Sequence, residues 1–201
     1  AQMHEAGQSF DGHRANNMSV AGWQTLVAQT RDQADEVVPG LGDVLDAELA
    51  EIASNWPNNL PAGVIHADLF PDNVFFLGDR LSGFIDFYFA CNDALAYDLA
   101  ICINAWCFEP DNSLNVTKAR ALLRGYASVH PLTRPEFDAL PQLARGSALR
   151  FLLTRLYDWV NHDTTAFVQP KNPKQFLGRL RFHQQVDGPG AYGVGFEDVS
   201  V

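Results

Sequence analysis

The residues best suited to chemistry lie in one stretch, VIHADLFPDNVFFLGDRLSGFID, at positions 64–86. Four polar side chains, His66, Asp68, Asn73 and Asp86, stand there between apolar runs. A carboxylate such as Asp68 can accept the proton of an attacking hydroxyl, or orient that hydroxyl. The amide oxygen of Asn73 and the carboxylate of Asp86 are hard ligands of the kind that Mg²⁺ prefers. These residue types therefore predict metal-assisted transfer of a phosphoryl group to an alcohol.

The spacing H-x-D-x-x-x-x-N, with a further Asp after the next hairpin, is typical of the catalytic loop of kinases with the protein-kinase fold. In this interpretation Asp68 is the catalytic carboxylate, Asn73 and Asp86 hold Mg²⁺ beside ATP, and His66 braces the loop by hydrogen bonds. Asp and Asn also collect in turns that do no chemistry. A strand predicted before the loop, a hairpin predicted after it and the Ile-Asp at the hairpin's end favour an active site.

The elements that must position these residues are mostly helices. Apolar residues at three- and four-residue steps predict helices over 21–38 and 41–56, separated by Pro39-Gly40. AQMHEAG at the start is typical of the last turns of a helix that ends at Gly7. VIH is predicted as a strand, and VFFL and LSGFID as a hairpin joined by a tight Gly-Asp turn. Further helices are predicted over 94–108, 116–130 and 144–162, with a short one over 173–185.

Proline and glycine punctuate the second half of the chain. Pro131, Pro135 and Pro141 are predicted to lie in the connections between helices, because proline removes a backbone donor from a helix interior. The glycine-rich tail GPGAYGVGFEDVSV is predicted to be poorly ordered.

Composition narrows the class of protein. A chain of 201 residues, 47% of them hydrophobic, suits one globular domain or a small domain pair. Its formal net charge of −10 argues against a nucleic-acid partner or an anionic membrane surface, since both need a positive face. Three cysteines without ligand spacing indicate buried thiols in a reducing, cytoplasmic environment. We find no apolar run long enough to cross a bilayer.

The chain resembles the aminoglycoside-phosphotransferase-like kinases, small-molecule kinases that share the protein-kinase fold. VIHADLFPDNVFF matches their catalytic loop, FIDF their metal-binding Ile-Asp, and AYDLA, with Asp98, the D-L-A that opens a following helix. Within that family, FYFACNDALAYDLAICINAW, GYASVHPLTRPEF and LRFLLTRLYDW resemble the homoserine kinases. The resemblance covers about residues 1–185. It implies a homoserine acceptor, ATP and Mg²⁺ as cofactors, a step in threonine biosynthesis, and structural support of the site by Asp98.

The resemblance also implies a fold class, mainly α with a small β-hairpin (α+β). Residues 1–201 match the helical C-terminal lobe of that fold, with the catalytic loop and the substrate site. We expect the N-terminal ATP-binding lobe to be absent from this chain, and an apolar strip to be exposed where that lobe packs. Ala67 and Phe70 replace the Arg and Lys of protein kinases, and no Asp-Phe-Gly follows the hairpin. These departures favour a metabolite kinase.

Residues that would bind the acceptor are harder to identify. Asn104 and Trp106, near the end of one predicted helix, would line a pocket, or would equally well be a helix-end amide and a core ring. Arg150, Thr154 and Asp158 recur at four-residue steps and so share a helix face. That face is either solvated or a polar seam in a buried helix, and in the second case Arg150 would bind the homoserine carboxylate.

Two other functions stay open from the sequence. One is phosphorylation of an aminoglycoside or another metabolite alcohol, which the acidic charge would suit. The other is a non-catalytic binding module of the same fold. Retention of Asp68, Asn73 and Asp86 together favours an enzyme over such a module.

Overall fold

The computed structural model describes residues 1–163, 165, 167 and 169–200. Helices dominate this part of the chain, and four short strands form two small sheets, as the predicted fold class requires. The helices are α1 Gln2–Gly7, α2 Val20–Val37, α3 Leu41–Ser54, α4 Leu95–Trp106, α5 Val116–Ala127, α6 Arg134–Val160 and α7 Lys174–His183. The strands are β1 Ala62–Ile65, β2 Val74–Leu77, β3 Arg80–Phe84 and β4 Cys91–Ala94.

The β2–β3 hairpin is the one that the sequence predicts. Its antiparallel register pairs Val74 with Phe84 and Leu77 with Arg80. Gly78 lies in the turn with a φ of 60°, a conformation that glycine adopts without steric cost. The hairpin therefore carries the chain from the catalytic loop to the segment that contains Asp86.

A second sheet, β1 with β4, is absent from the prediction. Ala62 pairs with Ala94 and Ile65 with Cys91, in antiparallel register. The sequence of β4, CNDA, has little β propensity, so only its pairing with a strand 26 residues upstream makes it a strand. This sheet fixes the start of the predicted catalytic loop, because the end of β1 pairs with Cys91, and it places the start of β1 beside the start of α4.

The core lies where α4 packs against α6, with α2 and α7 on the other sides of α6. Trp23, Trp56 and Tyr97 stack edge to face, with ring centroids 5.0 Å and 5.5 Å apart. Gly146 of α6 lies under this stack, and a Cβ there would stand 2.2 Å from the Trp56 ring. Glycine is required at this point because the ring occupies the space of a side chain.

Helix α6 corrects the prediction for Pro141. The helix begins at Arg134, with Pro135 in its first turn and a capping box between Thr133 and Glu136. It then continues through Pro141 to Val160 without a break. Buried apolar side chains on both sides of the proline, such as Leu140 and Leu143, hold the helix together despite the missing donor.

The C-terminal tail is also ordered, against the prediction. Short 3₁₀ turns form at Pro189–Tyr192 and Phe196–Asp198. Tyr192 and Val199 are fully buried, and the Leu132 N–H donates to the Val199 carbonyl at 2.8 Å. The glycine content suggested disorder, but these buried anchors supply the apolar contacts that order the segment.

One stretch of the chain carries exposed apolar side chains. It follows the hairpin and the 3₁₀ turn after Asp86, and we call it the hairpin face. Several of its side chains are half exposed or more, and Tyr88 is 82% exposed. This is the kind of apolar strip that the sequence predicts. Its members are Phe75, Phe76, Leu77, Leu81, Ile85, Phe87 and Tyr88.

Two composition-based predictions can be compared with the fold. Cys91 and Cys107 are buried free thiols, as predicted, while Cys102 is only partly buried. In the described part of the chain, no helix is both long and apolar enough to span a membrane.

Candidate active site

The predicted catalytic loop starts where β1 ends, and Asp98 of α4 binds its backbone. The N–H of His66 donates to Oδ2 of Asp98 at 3.2 Å, and the N–H of Ala67 donates to Oδ1 at 2.8 Å. Ala67 has a φ of 63°, in the left-handed region that costs energy for a residue with a Cβ. The carboxylate of Asp98 therefore binds two successive amides across a strained turn and fixes the direction in which the next side chain, Asp68, leaves the loop.

His66 ties this loop to the segment that carries Asp86. Its Nδ1 accepts from the Asp68 N–H at 3.3 Å, so the ring proton lies on Nε2, which donates to the Ile85 carbonyl at 2.9 Å. The ring is fully buried and packs on Phe87, with centroids 4.6 Å apart. Because both nitrogens are engaged inside the protein, bracing is still the role that we predict for His66.

Asn73 holds the carboxylate of Asp68. Its Nδ2 donates to the Asp68 carbonyl at 2.8 Å and to Oδ2 of the Asp68 side chain at 3.2 Å. Burial raises the pKa of the Asp68 carboxyl, Asp86 raises it further, and the nearby Arg150 guanidinium offsets only part of this. Asp68 is thus a partly buried carboxylate with one oxygen anchored, which suits an acceptor of a hydroxyl proton.

Asp86 is brought to the same place by the hairpin. The N–H of Ile85 donates to the Asn73 carbonyl at 3.1 Å, which joins the end of β3 to the catalytic loop. Asp86 follows with a φ of 64°, at the start of the 3₁₀ turn Phe87–Phe89. The structure therefore brings Asp68, Asn73 and Asp86 together, as their spacing in the sequence predicts.

The oxygen atoms of this group fit Mg²⁺. Since Asn73 donates through Nδ2, its Oδ1 is left to act as a ligand, and Asp86 offers an exposed carboxylate. Among the described residues, no cluster of three His, Cys, Asp or Glu side chains could hold a metal on its own. Mg²⁺ commonly binds one or two protein oxygens and takes the rest from phosphates and water, so a site of this size suits a metal–nucleotide complex.

Sequence reasoning missed two residues that support Asp98 through hydrogen bonds, His4 directly and Tyr126 through His4. His4 of α1 donates through Nε2 to Oδ2 of Asp98 at 3.0 Å, and its Nδ1 accepts from the Tyr126 hydroxyl at 2.9 Å. Burial alone would raise the pKa of Asp98, but the hydrogen bonds from His4, Ala67 and His66 outweigh burial and lower it. His4 lies 94 residues from Asp98, so no local spacing could have revealed the pair.

Asp98→Asn is expected to destabilise the full-length protein by about 2–4 kcal/mol at pH 7, because buried donors lose a charged acceptor. Since the folded pKa of Asp98 is lowered, its stabilising effect is complete above the unfolded value of about 4. The effect is lost as the pH falls through the folded pKa. Urea unfolding of both proteins between pH 7 and pH 3 measures the difference, which should shrink at the acid end. Asp43→Asn, at an exposed ion pair with Arg31, is the control and should cost under about 1 kcal/mol. An equally small cost for Asp98→Asn would contradict the assignment.

Two of the acceptor candidates are already hydrogen-bonded within the protein. Asn104 is fully buried, donates to the Ala144 carbonyl at 2.8 Å and accepts from His183 at 3.0 Å. The structure therefore places Asn104 in the core and not at the active site. Trp106 donates from its indole nitrogen to the Leu69 carbonyl at 2.7 Å, so it contacts the backbone of the predicted catalytic loop.

Arg150, Thr154 and Asp158 lie along α6 but in three environments. Arg150 is 1% exposed, donates from Nη1 to the Ala67 carbonyl at 2.6 Å and lies over the Phe151 ring. Its guanidinium thus braces the catalytic loop. Among the described residues, the Thr154 hydroxyl has a hydrogen bond only within its own helix, to the Phe151 carbonyl at 3.4 Å. Asp158 is exposed and lines a cavity of about 650 Å³.

Comparisons with known proteins identify the family of the chain. The model of the phosphotransferase enzyme family matches residues 1–132. A homoserine kinase of Xanthobacter autotrophicus is 63% identical over 194 residues, which are 96% of this chain and 60% of that protein. A homoserine kinase of Sinorhizobium fredii is 58% identical over 200 residues, or 61% of its length. The chain thus spans about 60% of the length of the curated relatives that it matches.

One solved structure resembles the fold at low identity. The ethanolamine kinase of Plasmodium vivax superposes with a TM-score of 0.60 over 90% of this chain and 52% of that one, at 20% identity. This likeness concerns the fold alone.

Proposed function

The chain belongs to the phosphotransferase enzyme family, and from that premise we propose that the protein is a homoserine kinase. It transfers the γ-phosphoryl group of ATP to the side-chain hydroxyl of homoserine, giving O-phosphohomoserine and ADP. The observation that carries this proposal is the 63% identity, over 96% of the chain, to a relative named homoserine kinase. The grouping of Asp68, Asn73 and Asp86 supports it, because phosphoryl transfer needs those oxygen atoms together.

Asp68 acts on the acceptor hydroxyl. Asn73 anchors Oδ2, and Oδ1 has no described hydrogen-bond partner, so it can accept from the hydroxyl. Holding the hydroxyl in line with the phosphorus is the main contribution, because this reaction depends on positioning more than on covalent chemistry. His66 and Asp98 contribute indirectly, since they hold the backbone amides of Asp68 and of the two residues before it.

Asn73 and Asp86 would hold Mg²⁺. The ion, when bound, neutralises charge on the phosphate oxygens. Without a cation, the carboxylates of Asp68 and Asp86 would repel a nucleotide. The two ligands approach each other through the Ile85–Asn73 hydrogen bond, so the hairpin sets their separation.

The hairpin face has a place in this proposal. Its exposed aromatic and aliphatic side chains border Asp86, and apolar patches of this kind mark contact surfaces. We propose that residues 1–201 form a helical C-terminal lobe. The hairpin face then packs against the N-terminal lobe that holds the adenine nucleotide.

An acceptor panel tests the function. The full-length protein is assayed for ADP release with ATP, Mg²⁺ and, in turn, homoserine, ethanolamine and an aminoglycoside. We expect kcat/KM for homoserine to exceed the others by at least about 100-fold, since a site built for polar groups rejects acceptors that lack them. If kcat/KM were higher for ethanolamine or the aminoglycoside, that compound and not homoserine would be the acceptor. No transfer to any alcohol would favour a binding module.

A further inference from the structure

A polar cavity lies near the end of α6. It is formed by the C-terminal half of α6 and the segment 169–171, and we call it the α6 cavity. Its volume of about 650 Å³ is in the range of small-molecule sites. Lys171, which lines it, pairs with Asp72 at 2.7 Å, and Asp72 immediately precedes Asn73. The cavity therefore adjoins the loop that carries Asp68.

Two arginines, Arg155 in the cavity wall and Arg179 outside it, place positive charge against the same aromatic ring. The guanidinium groups of Arg155 and Arg179 lie 4.4 Å and 4.5 Å from the centroid of the Phe176 ring. Arg155 donates to the neutral Gln175, and Arg179 is 5% exposed with an Nε that has no partner. Within the described part of the chain, neither arginine pairs with a carboxylate. Two sheltered cations without an anion are costly, so an anionic ligand would stabilise them.

Negative charge lies one helical turn away. Asp158 is three residues beyond Arg155, hence on the same side of α6, and both line the α6 cavity. Burial raises the pKa of the Asp158 carboxyl, and no ion pair engages it among the described residues. The other charges at the cavity are engaged, Lys171 by Asp72 and Asp163 by Thr165. Arg155 and Asp158 are thus one cation and one anion without an ion-pair partner among the described residues.

We propose that the α6 cavity binds the charged end of an α-amino-acid acceptor, with Arg155 on the carboxylate and Asp158 on the ammonium. The inference rests on the proposed function and deepens it, because it assigns the acceptor class to named residues. Arg179 lies behind Arg155 on the same ring and strengthens the positive field there. Lys171 in the cavity wall pairs with Asp72 of the loop that carries Asp68, so a short hydroxyl side chain would extend from the cavity toward that loop. Arg150, which the sequence suggested for the carboxylate, is held instead by the Ala67 carbonyl.

The test pairs two variants with two truncated acceptors. 3-Amino-1-propanol is homoserine without its carboxylate, and 4-hydroxybutyrate is homoserine without its ammonium. With the full-length protein, Arg155→Gln should lower kcat/KM for homoserine by about 100-fold but change kcat/KM for 3-amino-1-propanol by under about threefold. Asp158→Asn should show the mirror pattern, with a large loss on homoserine and little change on 4-hydroxybutyrate. The apparent KM for ATP should stay within about twofold in both variants.

Controls separate recognition from misfolding. Arg134→Gln and Asp138→Asn remove an exposed ion pair from the first turns of α6 and should leave all three acceptors unchanged. Arg155→Lys keeps the charge and should recover part of the loss on homoserine. Equal losses by Arg155→Gln on homoserine and 3-amino-1-propanol would overturn the inference while leaving the proposed function intact. Failure of the unmodified protein to phosphorylate homoserine would overturn both.

Discussion

Asp68→Asn is expected to lower kcat of the full-length protein for homoserine by about 10²- to 10⁴-fold, while the Kd for ATP stays within about threefold. Asparagine has nearly the same shape but cannot take a proton. It would also turn an amide donor toward either Nδ2 of Asn73 or the acceptor hydroxyl, where an acceptor is needed. The loss should therefore lie in the chemical step, because no nucleotide contact is assigned to Asp68.

Rapid-quench measurement of a single turnover reads this step directly, and a fluorescent nucleotide analogue reads binding. Asp79→Asn, in the exposed turn of the hairpin, is the matched control and should keep the parental rate. If Asp68→Asn retained a rate within about threefold of the parent, another group would have to orient the hydroxyl. If it lost nucleotide binding as well, Asp68 would act through the structure of the loop.

The candidate site could be predicted from the sequence because its parts are close in the chain. His66, Asp68, Asn73 and Asp86 lie within 21 residues, and a hairpin with a recognisable Gly-Asp turn joins the last to the others. The spacing of a loop and a tight hairpin sets a small number of geometries. Local signals were therefore sufficient to group the oxygen atoms that the chemistry needs.

The support of the site could not be predicted, because its partners are far apart in sequence. His4 of α1 binds Asp98, and Tyr126 of α5 binds His4 in turn. Likewise, β4 becomes a strand only through its pairing with β1. Such contacts are decided by packing of the whole domain. No single residue type indicates such contacts, since His4 in AQMHEAG has the sequence context of an ordinary histidine near a helix end.

Two errors share a physical cause. Glycine in the tail and Pro141 in α6 both lower the intrinsic preference for regular structure. Burial of Tyr192 and Val199 in the first case, and of Leu140 and Leu143 in the second, outweighs that preference. Propensity costs at most a few kcal/mol per residue, which is comparable to the gain from burying one large apolar side chain.

The residues proposed to bind the acceptor illustrate a second limit of local sequence patterns. Arg150 is a candidate in the sequence because it stands in an apolar helix, but in the structure its Nη1 donates to the Ala67 carbonyl and its Nε has no described partner. Arg155 stands five residues later in the same helical segment, and the sequence does not distinguish its environment from that of Arg150. The difference is the partner: Arg150 binds the loop, whereas Arg155 opens on the α6 cavity.

Asp86→Asn is expected to raise the Mg²⁺ concentration for half-maximal rate by at least about 10-fold and to lower kcat at saturating Mg²⁺ by about 100-fold. A neutral amide binds Mg²⁺ more weakly than a carboxylate, and the phosphates then lose part of their charge compensation. Asn73→Ala should raise the Mg²⁺ requirement too, but it also frees the Asp68 carboxylate, so its effect on kcat mixes two causes. Asp86→Asn is the cleaner variant, because no described side-chain hydrogen bond depends on Asp86.

Initial rates at fixed ATP and varied free Mg²⁺ measure both quantities, and thermal unfolding shows whether the variants remain folded. Asp93→Asn, in β4, is the control outside the proposed metal site and should keep the parental Mg²⁺ dependence. An unchanged Mg²⁺ requirement in both Asp86→Asn and Asn73→Ala would exclude this pair as the ligands. The hydrogen bond from Ile85 to Asn73 would then serve only to close the hairpin onto the loop. A raised requirement in both would assign the metal to the two residues that the hairpin brings together.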